Sequence, residues 1–259
     1  MRTAPPILIS LAAFGADAVR RHGQRHFAEL ARAAGADGVE VRGELLSGED
    51  GELPALRATG AVRVYSSPEG LWDAGGALDT GALQRAFDRA EGLGAARCKL
   101  SIGGYRAGSA ASLAELRDRL AGSAVELVVE NDQTPAAGTL GALRRFFAAA
   151  DAAGLVLPMT FDLGNWHWLG ECPLQAAAAF GPRVGYVHAK GVQRRPDTWI
   201  AVPLEDSAAP WRAVLRALPA DVPWAIEYPL AGDDLAAVVR RETGVLRAAA
   251  ALQQETALP

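Results

Sequence analysis

The sequence predicts an α/β protein folded as one single-domain (β/α)8 barrel spanning residues 1–259. Three observations lead there. Short β-rich apolar runs alternate with Ala/Leu/Arg-rich stretches of helical period, with Gly or Pro between them. The runs number eight, the count that closes a parallel barrel. A chain of 259 residues, 50% of them hydrophobic, is long and apolar enough for one core of this kind.

The elements follow in order. Ile7–Ser10 comes after Pro5-Pro6 and reads as a first buried strand; the apolar run to Phe14 lacks the small-residue cleavage site of an export signal. Gln24–Ala34 has helical period, and Gly38–Arg42 and Val62–Ser66 are the next strands. The helical stretch Thr80–Leu93 leads to the strand Arg97–Ile102, and Ser112–Ala121 leads to Glu126–Asn131. Gly138–Ala153 precedes Met159–Asp162, Leu174–Phe180 precedes Val184–Lys190, and Ala209–Leu218 precedes Trp224–Tyr228. A last helix runs from Asp234 to about Leu252, with Gly232-Asp233 as its cap region. A doubly wound open sheet would favour a glycine-rich phosphate turn after the first strand, and Leu11-Ala12-Ala13-Phe14-Gly15 is not one.

Charge and cysteine content narrow the function. With 26 basic and 30 acidic residues the formal net charge is −4, which offers no electrostatic footprint for nucleic acid or an anionic membrane. No apolar stretch has the length of a membrane span. Cys98 and Cys172 are too few for a disulfide framework, so a reducing cytoplasm is the expected compartment.

Strand parity places the chemistry. Side chains along a barrel strand alternate between the interior and the helix layer. If Leu127 and Val129 face the helices, Glu130 points inward at its strand end. By the same count Met159 and Phe161 leave Asp162 inward, Val187 and Ala189 leave His188 and Lys190 inward, and Glu227 points in from the last strand. Earlier in the chain, Val39 and Val41 leave Glu40 and Arg42 inward, and Cys98 and Leu100 leave Lys99 and Ser101 inward. Strands five to eight thus each place an ionisable group inward near the C-terminal end, where barrel enzymes build their active sites.

Three carboxylates and an imidazole cannot share a small cavity without compensation. One divalent metal ion held by Glu130, Asp162, His188 and Glu227 supplies it. An oxygen-rich set with one His suits Mn²⁺ or Mg²⁺, with Zn²⁺ and Co²⁺ as alternatives. Such an ion polarises a substrate carbonyl and stabilises an enediolate. Singly, each of these residues reads as well as a cap or a salt-bridge partner; the four together are harder to explain that way.

The segments VVEND, TFDLGNW, YVHAKG and AIEYPL resemble those of the sugar phosphate isomerase/epimerase family, the xylose isomerase-like or endonuclease IV-like TIM barrels. The likeness extends over nearly the whole chain, and the ligand intervals of 32, 26 and 39 residues fit one βα unit per step. It implies a metal-dependent isomerase or epimerase of a ketose, keto-sugar or related polyol, with Glu130 and Glu227 as the acid/base pair on opposite faces of the substrate carbon. Chemistry agrees: proton abstraction beside a carbonyl needs a carboxylate in reach and an electrophile on the oxygen. A lyase on the same scaffold, of the inosose or 3-dehydroshikimate dehydratase kind, begins with the same abstraction. An endonuclease IV-like hydrolase uses several additional histidines, and this chain has four in all.

The resemblance also bears on substrate contacts. Ketose epimerases of this group often carry a His three residues after the Asp ligand, where Asn165 stands here. His167 fills that role only if the loop is shaped differently, and Arg194 matches a substrate-contacting Arg or is an exposed loop residue beside Arg195. All but two of the basic residues are arginines, and both lysines, Lys99 and Lys190, fall at the predicted site. His-x-Lys at strand seven fits the family, with Lys190 on a substrate oxygen or a ligand carboxylate. Lys99 either holds a substrate oxygen or forms a buried pair with Glu40 or Glu130. Glu40 and Trp166 complete the expected substrate contacts. Trp72, Trp168 and Trp199 also follow strand ends, where they line the pocket, pack the core or build a homo-oligomer interface.

Overall fold

The computed structural model describes residues 4–256. The barrel strands are β1 (Ile7–Ser10), β2 (Gly38–Arg42), β3 (Val62–Trp72), β4 (Arg97–Gly103), β5 (Glu126–Glu130), β6 (Met159–Asp162), β7 (Val184–Ala189) and β10 (Trp224–Ile226). All pair in parallel, and β1 meets both β2 and β10 to close an eight-stranded barrel. Helices surround it, as the alternating sequence predicts. The strand boundaries fall within a residue or two of the sequence reading except at β3, which continues to Trp72 through a register shift between Ser66 and Gly70. Elements beyond that reading include the helices Ala16–His22 and Glu52–Ala58 and an antiparallel hairpin, β8 (Gly191–Arg194) with β9 (Trp199–Val202).

Local chemistry sets the helix ends. Asp79 caps the helix Thr80–Leu93 by accepting from the Ala82 amide at 2.8 Å, and Gly94 ends it in the left-handed region at φ +66°. The last helix, Leu235–Thr256, is capped by Asp234, whose Oδ1 accepts from the Ala237 amide at 2.9 Å. The cap therefore sits one residue beyond the expected Gly232-Asp233. Among the described residues no helix is long and apolar enough to cross a membrane.

Strand alternation sorts the core into two parts. Leu127, Val129, Met159, Phe161, Val187, Ala189, Trp224 and Ile226 belong to the large apolar layer between barrel and helices. Leu8, Val64, Tyr186 and Ala225 form a separate small cluster. By parity these four face the barrel interior, and the polar residues two positions further along their strands lie above them.

Candidate metal centre

Four adjacent strand ends meet at one point. Glu130, Asp162, His188 and Glu227 each offer one ligand atom, and these atoms lie within 4.8 Å of one another. β10 is short, yet Glu227 continues its ladder, with its amide donating to the Ala189 carbonyl at 3.1 Å. His188 Nδ1 is 2.9 Å from Glu130 Oε1, 2.9 Å from Glu227 Oε2 and 3.9 Å from Asp162 Oδ2. Two ligands at right angles on bonds of about 2.1 Å stand about 3.0 Å apart, so the spacing suits a small divalent ion.

The other imidazole nitrogen favours the same reading. His188 Nε2 lies 2.8 Å from Glu40 Oε2, and Glu40 Oε1 accepts from Ser10 Oγ at 3.1 Å. A carboxylate that accepts the N–H of one ring nitrogen leaves the lone pair of the other for a metal. Asp162 is held as firmly. Its Oδ1 accepts from the amides of Gly164 at 2.7 Å and Asn165 at 2.9 Å, and Asn131 grips its backbone amide and carbonyl. Asp162 and His188 are fully buried, whereas the side chains of Glu130 and Glu227 keep 11% and 13% exposure. The two glutamates are therefore the open face of the centre.

Three further cations surround it. Lys99 Nζ pairs with Glu130 Oε2, and Arg42 reaches Glu227 Oε1 and Glu40 Oε1. Lys190 Nζ lies 2.6 Å from Asp162 Oδ2 and 2.8 Å from Glu227 Oε2. The carboxylates of Glu40, Glu130, Asp162 and Glu227 outnumber Arg42, Lys99 and Lys190 by one, and that imbalance sets the protonation. Burial opposes charge on His188, but Glu227, Glu40 and Glu130 outweigh it and raise the imidazole well above its ordinary value. Burial likewise opposes charge on Glu40, yet His188, Lys99 and Arg42 bring it down to about 2. For Asp162 burial prevails over Lys190, and the carboxyl rises to about 6. A cation is thus wanted among these groups, whether a proton on the imidazole or a divalent ion in its place. One imidazole nitrogen with three carboxylate oxygens is a donor set for Mn²⁺ or Mg²⁺.

The remaining residues expected to contact substrate are engaged with protein partners. Glu40 is fully buried behind His188 and supports the imidazole rather than a substrate. Lys99 forms the buried pair with Glu130. Asn165 spends its amide internally: Nδ2 donates to the Asn131 carbonyl at 2.8 Å, and Oδ1 accepts from Gln133 and Lys190. Trp166 is no pocket residue. The 3-10 turn Asn165–Leu169 carries it into the helix-side core, where it packs against Phe161 and Phe180. Trp72 is also buried, donating to Ser112 Oγ and packing on Tyr105 and Phe146. His167 sits beside Trp199 of the hairpin at 5.0 Å between ring centroids, and exposed Arg194 lies over the same tryptophan. Neither is paired with the quartet. Arg42 and Asn131 are site residues outside the expected set. Inward parity marked Arg42, but nothing in the sequence paired it with Glu227 across 185 positions. Asn131 carried no sequence signal beyond its place next to Glu130.

No protein-family model and no curated protein matches the sequence. Solved structures do. L-ribulose 3-epimerase aligns at TM-score 0.74 and 16% identity over 98% of this chain and 97% of its own. The probable 3-DHS dehydratase involved in petrobactin synthesis from Bacillus anthracis aligns at TM-score 0.68 and 13% identity over 93% and 98%. A xylose isomerase-like TIM barrel/4-hydroxyphenylpyruvate dioxygenase fusion protein aligns at TM-score 0.75 and 15% identity. That match takes in 98% of this chain, which spans 44% of the fusion protein. The chain has the fold of the xylose isomerase-like TIM barrels.

Proposed function

We propose that the protein is a divalent-metal-dependent isomerase or epimerase of a ketose, keto-sugar or related polyol, working by proton transfer next to a carbonyl. The observation that carries this reading is the quartet whose two glutamates alone face outward. Glu130, Asp162, His188 and Glu227 would hold the ion, Mn²⁺ or Mg²⁺ by donor type. When bound, the ion supplies Lewis-acid polarisation of the substrate oxygens. Glu130 and Glu227 flank His188 at equal distance, and each accepts or returns a proton at the carbon between them. Arg42 and Lys99 hold the outer oxygens of these glutamates, keep them charged and fix their orientation. Glu40 and Asn131 position His188 and Asp162 from behind.

The test is metal analysis followed by deuterium exchange from D₂O across a panel of keto-sugars. The wild type should contain a divalent ion and wash deuterium into its substrate, and Glu130→Gln and Glu227→Gln should lose exchange. Full exchange in both variants would remove the acid/base assignment. A dehydratase reading begins with the same proton abstraction, and the structural likeness to a probable 3-DHS dehydratase favours it. An enone chromophore with loss of water would select it over isomerisation.

A further inference from the structure

The three cations around the quartet do not use equivalent oxygens. Asp162 Oδ1 is taken by the two backbone amides of Gly164 and Asn165, which leaves Oδ2 to face His188 Nδ1. Arg42 takes the outer oxygen of Glu227, Oε1, and leaves Oε2 facing the imidazole. Lys99 takes the outer oxygen of Glu130, Oε2, and leaves Oε1 facing it. Arg42 and Lys99 thus orient the carboxylates without occupying the atoms an ion would need. Lys190 does the opposite. Its ammonium sits on Asp162 Oδ2 and Glu227 Oε2, the inward oxygens of two of the four ligands.

We propose that Lys190 is a displaceable internal cation that competes with the divalent ion for Asp162 and Glu227 and is turned toward the ligand when the ion enters. The inference rests on the metal-centre reading above. An ammonium and a divalent ion on the same two buried oxygens repel at short range in a medium that screens poorly. The lysine keeps an anchor when it leaves those oxygens: Asn165 Oδ1, which already accepts from Nζ at 3.1 Å, is a neutral partner outside the quartet. The stem runs over Gly164, where a Cβ would stand 2.8 Å from Lys190 Cδ, so the glycine leaves the track clear. Arginine at 190 would be too bulky and too rigid a fork for this exchange, which gives a reason for a lysine in a chain whose other basic residues, Lys99 apart, are all arginine. Lys190 is then a positioning residue for the ion-free site and a ligand contact in the loaded one.

Mn²⁺ titration of the ion-free protein by calorimetry, with electron paramagnetic resonance of free Mn²⁺ as a second readout, tests this. Lys190→Met and Lys190→Gln should each bind Mn²⁺ about tenfold or more tightly than wild type, since a competing charge has been removed. Lys99→Met should show no such gain. The glutamine variant keeps a hydrogen-bond donor for Asp162 and guards against a misfolded methionine variant. If wild type binds Mn²⁺ and neither Lys190 variant binds it more tightly, the competition is wrong and the metal centre stands. An equal gain in Lys99→Met would reduce the effect to general charge and also overturn the proposal. If no variant and no wild-type sample binds Mn²⁺, this inference and the metal-centre reading fall together.

Discussion

Four barrel strands carry two inward residues each, two positions apart, and the pairs contrast the lower and upper halves of the interior. Leu8, Val64, Tyr186 and Ala225 form the lower cluster, and Ser10, Ser66, His188 and Glu227 follow them toward the mouth. The lower layer is held by apolar burial. The upper layer is equally buried at Glu40, Asp162 and His188 but is held by charge compensation. The contrast shows one backbone scaffold serving two purposes: packing closes the barrel, and the same alternation two residues later delivers ionisable side chains to a common point. Tyr186 joins the layers, its ring set edge-on against His188 at 5.1 Å between centroids.

Perturbations of each layer should therefore separate function from stability. The largest effect is expected in the upper layer: Glu130→Gln should cost about 10²–10⁴-fold in D₂O exchange rate while the unfolding midpoint in urea stays close to that of wild type. A midpoint that collapses along with activity would mean the glutamate is chiefly structural. Moving a charge downward should do the reverse. Val64→Asp buries an uncompensated carboxylate in the lower cluster and should destabilise by about 3–5 kcal/mol, read by urea denaturation. Leu8→Ala should cost about 2–5 kcal/mol through its cavity, with Mn²⁺ affinity unchanged. A loss of affinity there would show that the layers are coupled. Asn165→Ala removes a brace of Asn131 and Lys190 and should weaken metal binding about 10–100-fold, measured by calorimetry.

The mildest perturbation is pH. In the proposed centre ligation needs the Asp162 carboxylate, which burial raises to about 6, so the Asp162 proton alone should lower Mn²⁺ affinity by about tenfold per pH unit below that value. In the ion-free protein the sign for stability is opposite. The folded chain holds this proton below about pH 6 and the unfolded chain only near 3.8, so over that window protonation of Asp162 favours the fold. A Mn²⁺ affinity flat from pH 7 to 5 would remove Asp162 from the ligand set.

The barrel and its quartet were legible because both depend on local periodicity. Runs of alternating parity such as Leu127–Glu130 and Met159–Asp162 state which side chains face inward, and four such runs at regular intervals state which strand ends meet. The hairpin β8–β9 was not legible, since Trp199–Val202 has no periodic core face and pairs only with the segment just before it. The loop after β6 misled for a related reason. Trp166 lies four residues past Asp162, but a 3-10 turn rotates it into the helix layer.

By itself the sequence determined the number of barrel strands, the inward parity and the four residues that cluster at the mouth, because a pleated strand converts residue number directly into side-chain direction. Only the tertiary structure decided how the charges are shared. Arg42 to Glu227, Glu40 to His188 and Lys190 to Asp162 and Glu227 join different strands around the barrel mouth, and no local pattern encodes which oxygen meets which cation. That choice arises where buried charges must find partners within hydrogen-bonding reach, and strand closure alone brings those partners together.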